Sequence, residues 1–219
     1  MPTLHQLRIE LEDRPGALAR VTSTLAEANV NILDIVIHEI DGNTAVDELV
    51  VEAPEDWDLP ATREALDALG AFLLSSAEVR SREDPVLTTL SWVEDLLSAA
   101  PADRELALAT AVARAASASR ACVLNATRAR QVSAGRAALE RGAPVVQRTA
   151  DLPLQVASAG ESLRWLVAIP DAAEDPSLVA FATRPLSLRF TATEVARAGA
   201  VVRMHRRLIA AREDTPAAV

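Results

Sequence analysis

The chain contains no lysine and no tyrosine: all 22 of its basic residues are arginine. Without lysine there is no Schiff-base or P-loop lysine, and without tyrosine no phenolic acid–base or nucleophile. Cysteine is nearly as scarce. The single Cys122 rules out an intrachain disulfide framework and supplies no Cys/His pattern for structural zinc. Three histidines occur, His5, His38 and His205, without a His-x-x-x-His spacing or a paired Cys-x-x-Cys, so no metal site and no cofactor is expected. Half of the residues are hydrophobic, yet no apolar run reaches membrane-spanning length. The N-terminus lacks the basic region and apolar stretch of a signal peptide, and the expectation is a cytoplasmic protein with no membrane partner. A net charge of −9 argues against nucleic acid as a partner, because phosphate contacts need a basic surface. The arginine bias, with so much alanine, matches the composition of a GC-rich genome and is weak evidence for anion binding.

The 219 residues leave room for two modest domains, each able to bury a core. The chain is organised around Glu12-Asp13-Arg14-Pro15-Gly16-Ala17-Leu18-Ala19-Arg20-Val21 and, a helix-length downstream, Asn29-Val30-Asn31-Ile32. Before it, Leu4 to Leu11 alternates, with Leu7, Ile9 and Leu11 on one face and Gln6, Arg8 and Glu10 on the other, the period of a half-buried strand. Asp13 is placed to cap a helix, and Pro15 suits its first turn. Gly16 lacks a Cβ, so a ligand can approach the first turn, where unpaired N–H groups attract a carboxylate. Leu18, Val21, Leu25 and Ala28 recur at helical spacing, and Ile32 to Ile37 reads as a second strand. An ordinary strand–turn–helix with a good cap fits this stretch equally well.

Asp-Arg-Pro-Gly-Ala-Leu-Ala-Arg-Val, followed by Leu-Ala-Glu-Ala-Asn-Val-Asn-Ile, resembles the ACT domain, the regulatory module of amino-acid metabolism, over roughly residues 3–80. The resemblance implies a ferredoxin-like βαββαβ sandwich that pairs with a second copy and binds an amino acid at the dimer interface. It places the ligand against Asp13, Arg14, Pro15, Gly16, Ala17 and Leu18, and against Asn31 and Ile32 at the start of the second strand. The remaining elements follow that order. Asp41-Gly42-Asn43 is a turn and Thr44 to Glu52 a third strand; Asp58 can cap a helix from Leu59 to Leu69 that turns Leu59, Ala65, Leu66 and Leu69 toward the sheet. Gly70 ends that helix, and Ala71 to Val79 supplies a fourth strand.

A polar linker, residues 81–85, separates this 1–80 domain from a second, 86–212, with a disordered tail at 213–219. Val86, Leu87, Leu90, Val93, Leu96 and Leu97 make a helical stripe beside Trp92, and a second helix runs from Asp103 to about Ser117. Ala121 to Asn125 reads as a buried strand and Thr127 to Arg141 as a short helix or loop. Strands are expected at Leu152 to Ser158, Leu163 to Ile169 and Leu178 to Ala182. Thr191-Ala192-Thr193-Glu194 is a capping box, with Phe190 placed to staple onto Val195, opening a helix to about Ala211. Flanking helices, central strands and this Phe-Thr-x-x-Glu helix opening resemble a GAF domain, which makes the whole chain α+β, with no cofactor signature in its second half.

No catalytic constellation accompanies these elements. Cys122 sits in an apolar strand, where cysteines are usually inert packing residues. Asp34 and His38 share a strand face, which two polar residues on a solvated or dimer-facing side explain simply. Arg203, Arg206, Arg207 and Arg212 cluster near a helix C-terminus, as the macrodipole favours. Trp57 and Trp165 are isolated aromatics suited to packing. The reading is a non-enzymatic regulatory protein, a homodimer that senses a small amino acid through its ACT domain. The alternative is an interaction or scaffold protein whose two domains serve oligomerisation and a protein partner.

Overall fold

The structure, a computed structural model, describes residues 2–40, 43–79, 85–153, 156, 164–185 and 188–213. The chain divides into two compact units, Met1–Asp84 and Pro85–Val219. The linker at 81–84, the turn residues Asp41 and Gly42, and the tail beyond 213 lie outside the described residues.

The first unit runs β1 (Thr3–Glu12), α1 (Ala17–Glu27), β2 (Asn31–Ile40), β3 (Thr44–Ala53), α2 (Leu59–Ala68) and β4 (Phe72–Val79). Its strands pair antiparallel in the order β2-β3-β1-β4, the ferredoxin-like βαββαβ arrangement. Because β1 and β2 both run antiparallel to the β3 between them, they are parallel to each other. The connection that joins them, α1, crosses over β3 and touches β1 and β2. Leu7, Ile9 and Leu11 of β1 and Leu49, Val51 and Ala53 of β3 alternate toward the helices and meet Ala17, Val21 and Leu25, one helical turn apart on α1. Burying each large side chain of this set contributes about 1.5–3 kcal/mol.

Several local expectations are corrected. Asp13 does not cap α1; Gly16 occupies the cap position, no side chain caps the helix, and Pro15 lies ahead of the first turn. On α2, Asp58 Oδ1 does accept from Ala61 N at 2.9 Å. The buried residues of α2 are Thr62 and Leu66, whereas Ala65 and Leu69 are exposed. Thr62 is held inward because its Oγ1 donates to Asp58 O and accepts from Trp57 Nε1. On the sheet face away from the helices, Arg8 and His38 are 5% and 2% exposed, so that polar face is not solvated there.

The second unit comprises α3 (Pro85–Ser98), α4 (Arg104–Ala115), β5 (Arg120–Asn125), α5 (Ala126–Ala129), α6 (Ser133–Arg141), β6 (Val145–Thr149), β7 (Arg164–Pro170), β8 (Leu178–Arg184) and α7 (Ala192–Glu213). Its antiparallel sheet has the order β5-β8-β7-β6. Helices cover both faces: α3, α4 and α7 pack on Val167, Ile169, Ala180 and Ala182, while α5 and α6 pack on Leu166, Ala168, Val179 and Phe181. The region 127–141 is therefore two helices, and β6 was not expected. Of the strand expected at Leu152 to Ser158, the described residues 152, 153 and 156 are not in a strand. The capping box forms as expected, with Thr191 N donating to Glu194 Oε2 at 2.8 Å and Glu194 N to Thr191 Oγ1 at 3.2 Å.

Candidate functional site

After Glu12 the chain reverses into α1 within four residues. Arg14 N donates to Glu12 O at 2.9 Å and Ala17 N to Arg14 O at 3.1 Å, and the helix begins with Arg20 N on Gly16 O at 3.2 Å. Gly16 makes the reversal at φ 85° and ψ −5°. A Cβ at Gly16 would meet nothing within 4 Å, so the backbone conformation, and not crowding, calls for glycine.

The turn is latched to the β2–β3 hairpin by Asn43, which the sequence offered only as a turn residue. Its carbonyl accepts from Asp13 N at 2.8 Å and its Nδ2 donates to Glu12 Oε1 at 3.0 Å. Arg14 is committed to Glu12, with Nε 2.6 Å from Oε2, and both side chains are half exposed. Asp13, Pro15 and Gly16 are exposed, Leu18 is half-buried and Ala17 is buried under the turn. The first-turn N–H groups of Leu18 and Ala19 have no acceptor within the helix, and no side chain caps them. The turn thus presents oriented donors and the positive end of α1, an environment suited to a carboxylate.

Six of the eight expected site residues, Asp13 to Leu18, therefore converge on one turn. The other two do not join them within one chain. Asn31 and Ile32 pair with Glu52 and Val51 at one end of β3, whereas the turn follows Glu12, which pairs with Thr44 at the other end. From Thr44 to Glu52 the strand spans about 26 Å at ~3.3 Å per residue. Beside the turn, Leu11, Glu12, Ala17, Arg20, Val21, Leu69, Gly70 and Ala71 line a recess of about 60 Å³. That volume equals roughly two waters at liquid density. A larger concavity of about 370 Å³ lies toward the other end of α1, between Thr24, Glu27, Ala28 and Asn29 and the stretch Pro54–Ala65. Its carboxylates Glu27, Asp56 and Asp58 repel an anionic ligand.

A second unanticipated residue is Asp47. It lies on the helix-facing side of β3, opposite Ile9 and Ile37, where Ala45, Leu49, Val51 and Ala53 are also buried. Burial pushes its carboxyl above the ordinary 3.8; His38 opposes this, and Asp13 in the turn adds to it. The break in the inward apolar series Ala45, Asp47, Leu49 was the signal that could have found it. On the opposite face, Glu48 gathers Gln6 Nε2, Arg8 Nη1 at 4.0 Å and His38 Nε2 at 3.8 Å. His38, with Gln6 and Arg8, holds the Glu48 carboxyl below its ordinary 4.5 despite burial.

In the second unit the candidate side chains are structural. Burial raises the Cys122 thiol to about 12, which leaves it protonated and unreactive at neutral pH. Arg184 and Glu194, each 1% exposed, form a buried ion pair, and the Arg184 guanidinium stacks 4.0 Å from the Phe190 ring. Arg206 reaches Asp171 at 3.5 Å and the carbonyl of Asp175 at 3.1 Å. Trp165 lies between Arg148 and Arg189, at 6.0 and 5.6 Å from its ring, and Trp57 packs edge-on to His5 at 5.0 Å. No described helix is long and apolar enough to cross a membrane.

The ACT domain family model matches residues 5–71. A UPF0237 protein of Methanosarcina mazei is 35% identical over 71 residues, which cover 32% of this chain and 77% of that protein. A UPF0237 protein of Methanosarcina acetivorans is 36% identical over 74 residues, covering 34% and 78%. An ACT domain protein of Streptococcus pneumoniae, known as a solved structure, is 22% identical, with a TM-score of 0.31 and coverage of 36% of this chain and 91% of that one. ACT domains are regulatory ligand-sensing modules, so the match favours a regulatory role over a catalytic one. Through residues 5–71, the chain belongs to the ACT domain family.

Proposed function

We propose that the protein is a non-enzymatic regulator that binds a small amino acid between the ACT domains of two copies. The ligand carboxylate is held by the first-turn N–H groups of Leu18 and Ala19 of one copy, beside Gly16 and Ala17. Asn31 and Ile32 of the second copy close the site, and Asp13 faces the ligand from the turn. The observation that carries this reading is the separation of about 26 Å between the turn and Asn31 along β3, at ~3.3 Å per residue, which no single chain can close. The recess beside the turn, about 60 Å³ in one copy, agrees with it. Ligand seated across two chains shifts the dimer toward the geometry it fits, which is how a regulator converts binding into a signal. The GAF-like identity of the second unit, carried by its Phe190–Glu194 helix opening, belongs to the same proposal, as does a cytoplasmic location.

A thermal-shift screen of the full-length protein against the twenty amino acids tests it. A ligand at about a hundredfold its Kd adds about 2.7 kcal/mol to the native state, which raises Tm by several degrees. One amino acid or a related group is expected to give that shift, and Gly16→Asp to remove it by setting a carboxylate where the ligand carboxylate docks. A shift retained in Gly16→Asp contradicts the site.

The alternative is an interaction protein, and one observation favours it. Leu87, Leu90 and Leu97 of α3 and Leu106 of α4 are 66%, 56%, 44% and 69% exposed, an apolar display on the second unit. No response to any amino acid, together with a dimer that persists without ligand, supports that reading instead.

A further inference from the structure

We propose that the outer face of α5 and α6 is a docking surface for an acidic segment of a partner protein. This surface is independent of the turn before α1.

The net charge of −9 is not spread evenly along the chain. Residues 106–150 hold seven arginines and a single acidic residue, Glu140, whereas the rest of the chain holds 15 arginines and 30 acidic residues. A GC-rich genome accounts for abundant arginine but not for the loss of acidic residues from one stretch. The fold turns part of this stretch outward. Ala129, Val132, Ala134 and Ala138 are buried against the sheet, and α6 lies so close to it that a Cβ on Gly135 would fall 2.7 Å from Phe181 Cζ. Small residues fill that contact, so Arg128, Arg130, Arg136 and Arg141 take the outer face, where all four are exposed. Arg136 Nε donates to Arg130 O at 3.2 Å, which brings arginines from both sides of the α5–α6 junction into one surface.

Arginines elsewhere have carboxylates at hand. Arg14 meets Glu12 at 2.6 Å, Arg114 meets Asp95 at 3.5 Å and Arg206 meets Asp171 at 3.5 Å. Among the described residues, no carboxylate forms an ion pair with Arg128, Arg130, Arg136 or Arg141. Four guanidinium groups gathered in this way set up a local field that attracts anions. The size of the face selects among them. The nine residues of α6 span about 14 Å at ~1.5 Å per residue. A nucleic acid duplex, with one charge per ~1.7 Å of axis, runs well past such a face and meets a chain whose other residues are acidic in balance. A membrane-lying helix needs large apolar side chains to insert, and the exposed residues of α5 and α6 include none. An acidic segment of a few residues satisfies the four guanidinium groups, each able to bind a carboxylate through two hydrogen bonds, without reaching the acidic remainder.

Fluorescence anisotropy with the full-length protein and a short fluorescein-labelled peptide of alternating glutamate and serine tests this, beside a labelled duplex oligonucleotide and vesicles containing phosphatidylserine. The peptide is expected to bind at low salt and to weaken as salt is added. Arg128→Glu with Arg141→Glu is expected to weaken the peptide at least tenfold. Arg203→Glu with Arg207→Glu, two exposed positions on α7, changes the net charge equally and is expected to leave the affinity within twofold. Unchanged affinity in the first pair, or an equal loss in both pairs, overturns the assignment of this face. A peptide that does not bind wild-type protein at low salt overturns it as well. Tighter binding of the oligonucleotide or the vesicles than of the peptide overturns the acidic segment as the partner. If the doubly reversed protein fails to fold, Arg128→Gln with Arg141→Gln removes the two charges without introducing any; a loss of at least threefold is expected there, and unchanged affinity overturns the face.

Discussion

In the first unit both helices lie on one face of the sheet, and the other face carries Gln6, Arg8, His38 and Glu48. In the second unit helices cover both faces, and β7 and β8 are buried along nearly their whole length. In a doubly covered sheet the buried polar groups must pair internally, as Arg184 does with Glu194. A singly covered sheet keeps free edges and a polar face, and its strand–helix turns remain accessible. The proposed ligand site accordingly lies at the turn between β1 and α1, whereas Arg184 and Glu194 of the second unit pair inside its core.

The sharpest way to break this contrast is to remove one partner of a charge pair in each unit. Glu194→Ala leaves the Arg184 guanidinium buried without its carboxylate and also dismantles the capping box of α7. Denaturant unfolding is expected to show a loss of about 3–5 kcal/mol. Added salt should change that loss little, because the pair is shielded from solvent. If Glu194→Ala costs no more than a surface substitution, the second unit is not held by this pair.

Glu48→Gln on the first unit is the matched change, and its expected cost is about 1 kcal/mol or less, because Glu48 retains 23% exposure. This effect should shrink with added salt. The sign of its pH dependence follows from the lowered pKa: the stabilisation is present above the ordinary 4.5 and is lost as pH falls through the depressed folded value. Acid titration of stability should therefore be flatter in Glu48→Gln than in wild type below about pH 4.5. A variant whose acid limb matches wild type shows that His38, Gln6 and Arg8 do not stabilise the charged form.

Much of the first unit was legible because its signals are local. Leu7, Ile9 and Leu11 alternate, Val21 and Leu25 recur one turn apart, and Asp58 sits one residue before its helix. The cap of α1 was misread because Asp13 and Gly16 both suit a helix start, and only the chain reversal after Glu12 decides that Gly16 takes it at positive φ. His38 was read as solvated or dimer-facing, since alternation reports which face a side chain takes and not what covers that face. In the second unit, β6 has only five residues and no clean alternation, with Val145 buried and Val146 and Gln147 both half-buried. Leu152 to Ser158 carries a stronger apolar pattern, which drew the expectation of a strand there. Asp47 and Asn43 escaped because their roles arise from contacts between elements distant in sequence.

The central claim is that one ligand site is built from two chains, and mixed dimers test it most directly. Gly16→Asp blocks the turn of its own chain, and Asn31→Ala removes the closing residue from its own chain. With the amino acid identified by the screen, neither homodimer is expected to bind, whereas a purified dimer of one chain of each kind regains one site, formed by the intact turn of the Asn31→Ala chain and Asn31 of the Gly16→Asp chain. Calorimetry should count one ligand per mixed dimer, against two for wild type. A mixed dimer that binds nothing, beside a wild-type dimer that binds two, contradicts the account and places the whole site within a single chain.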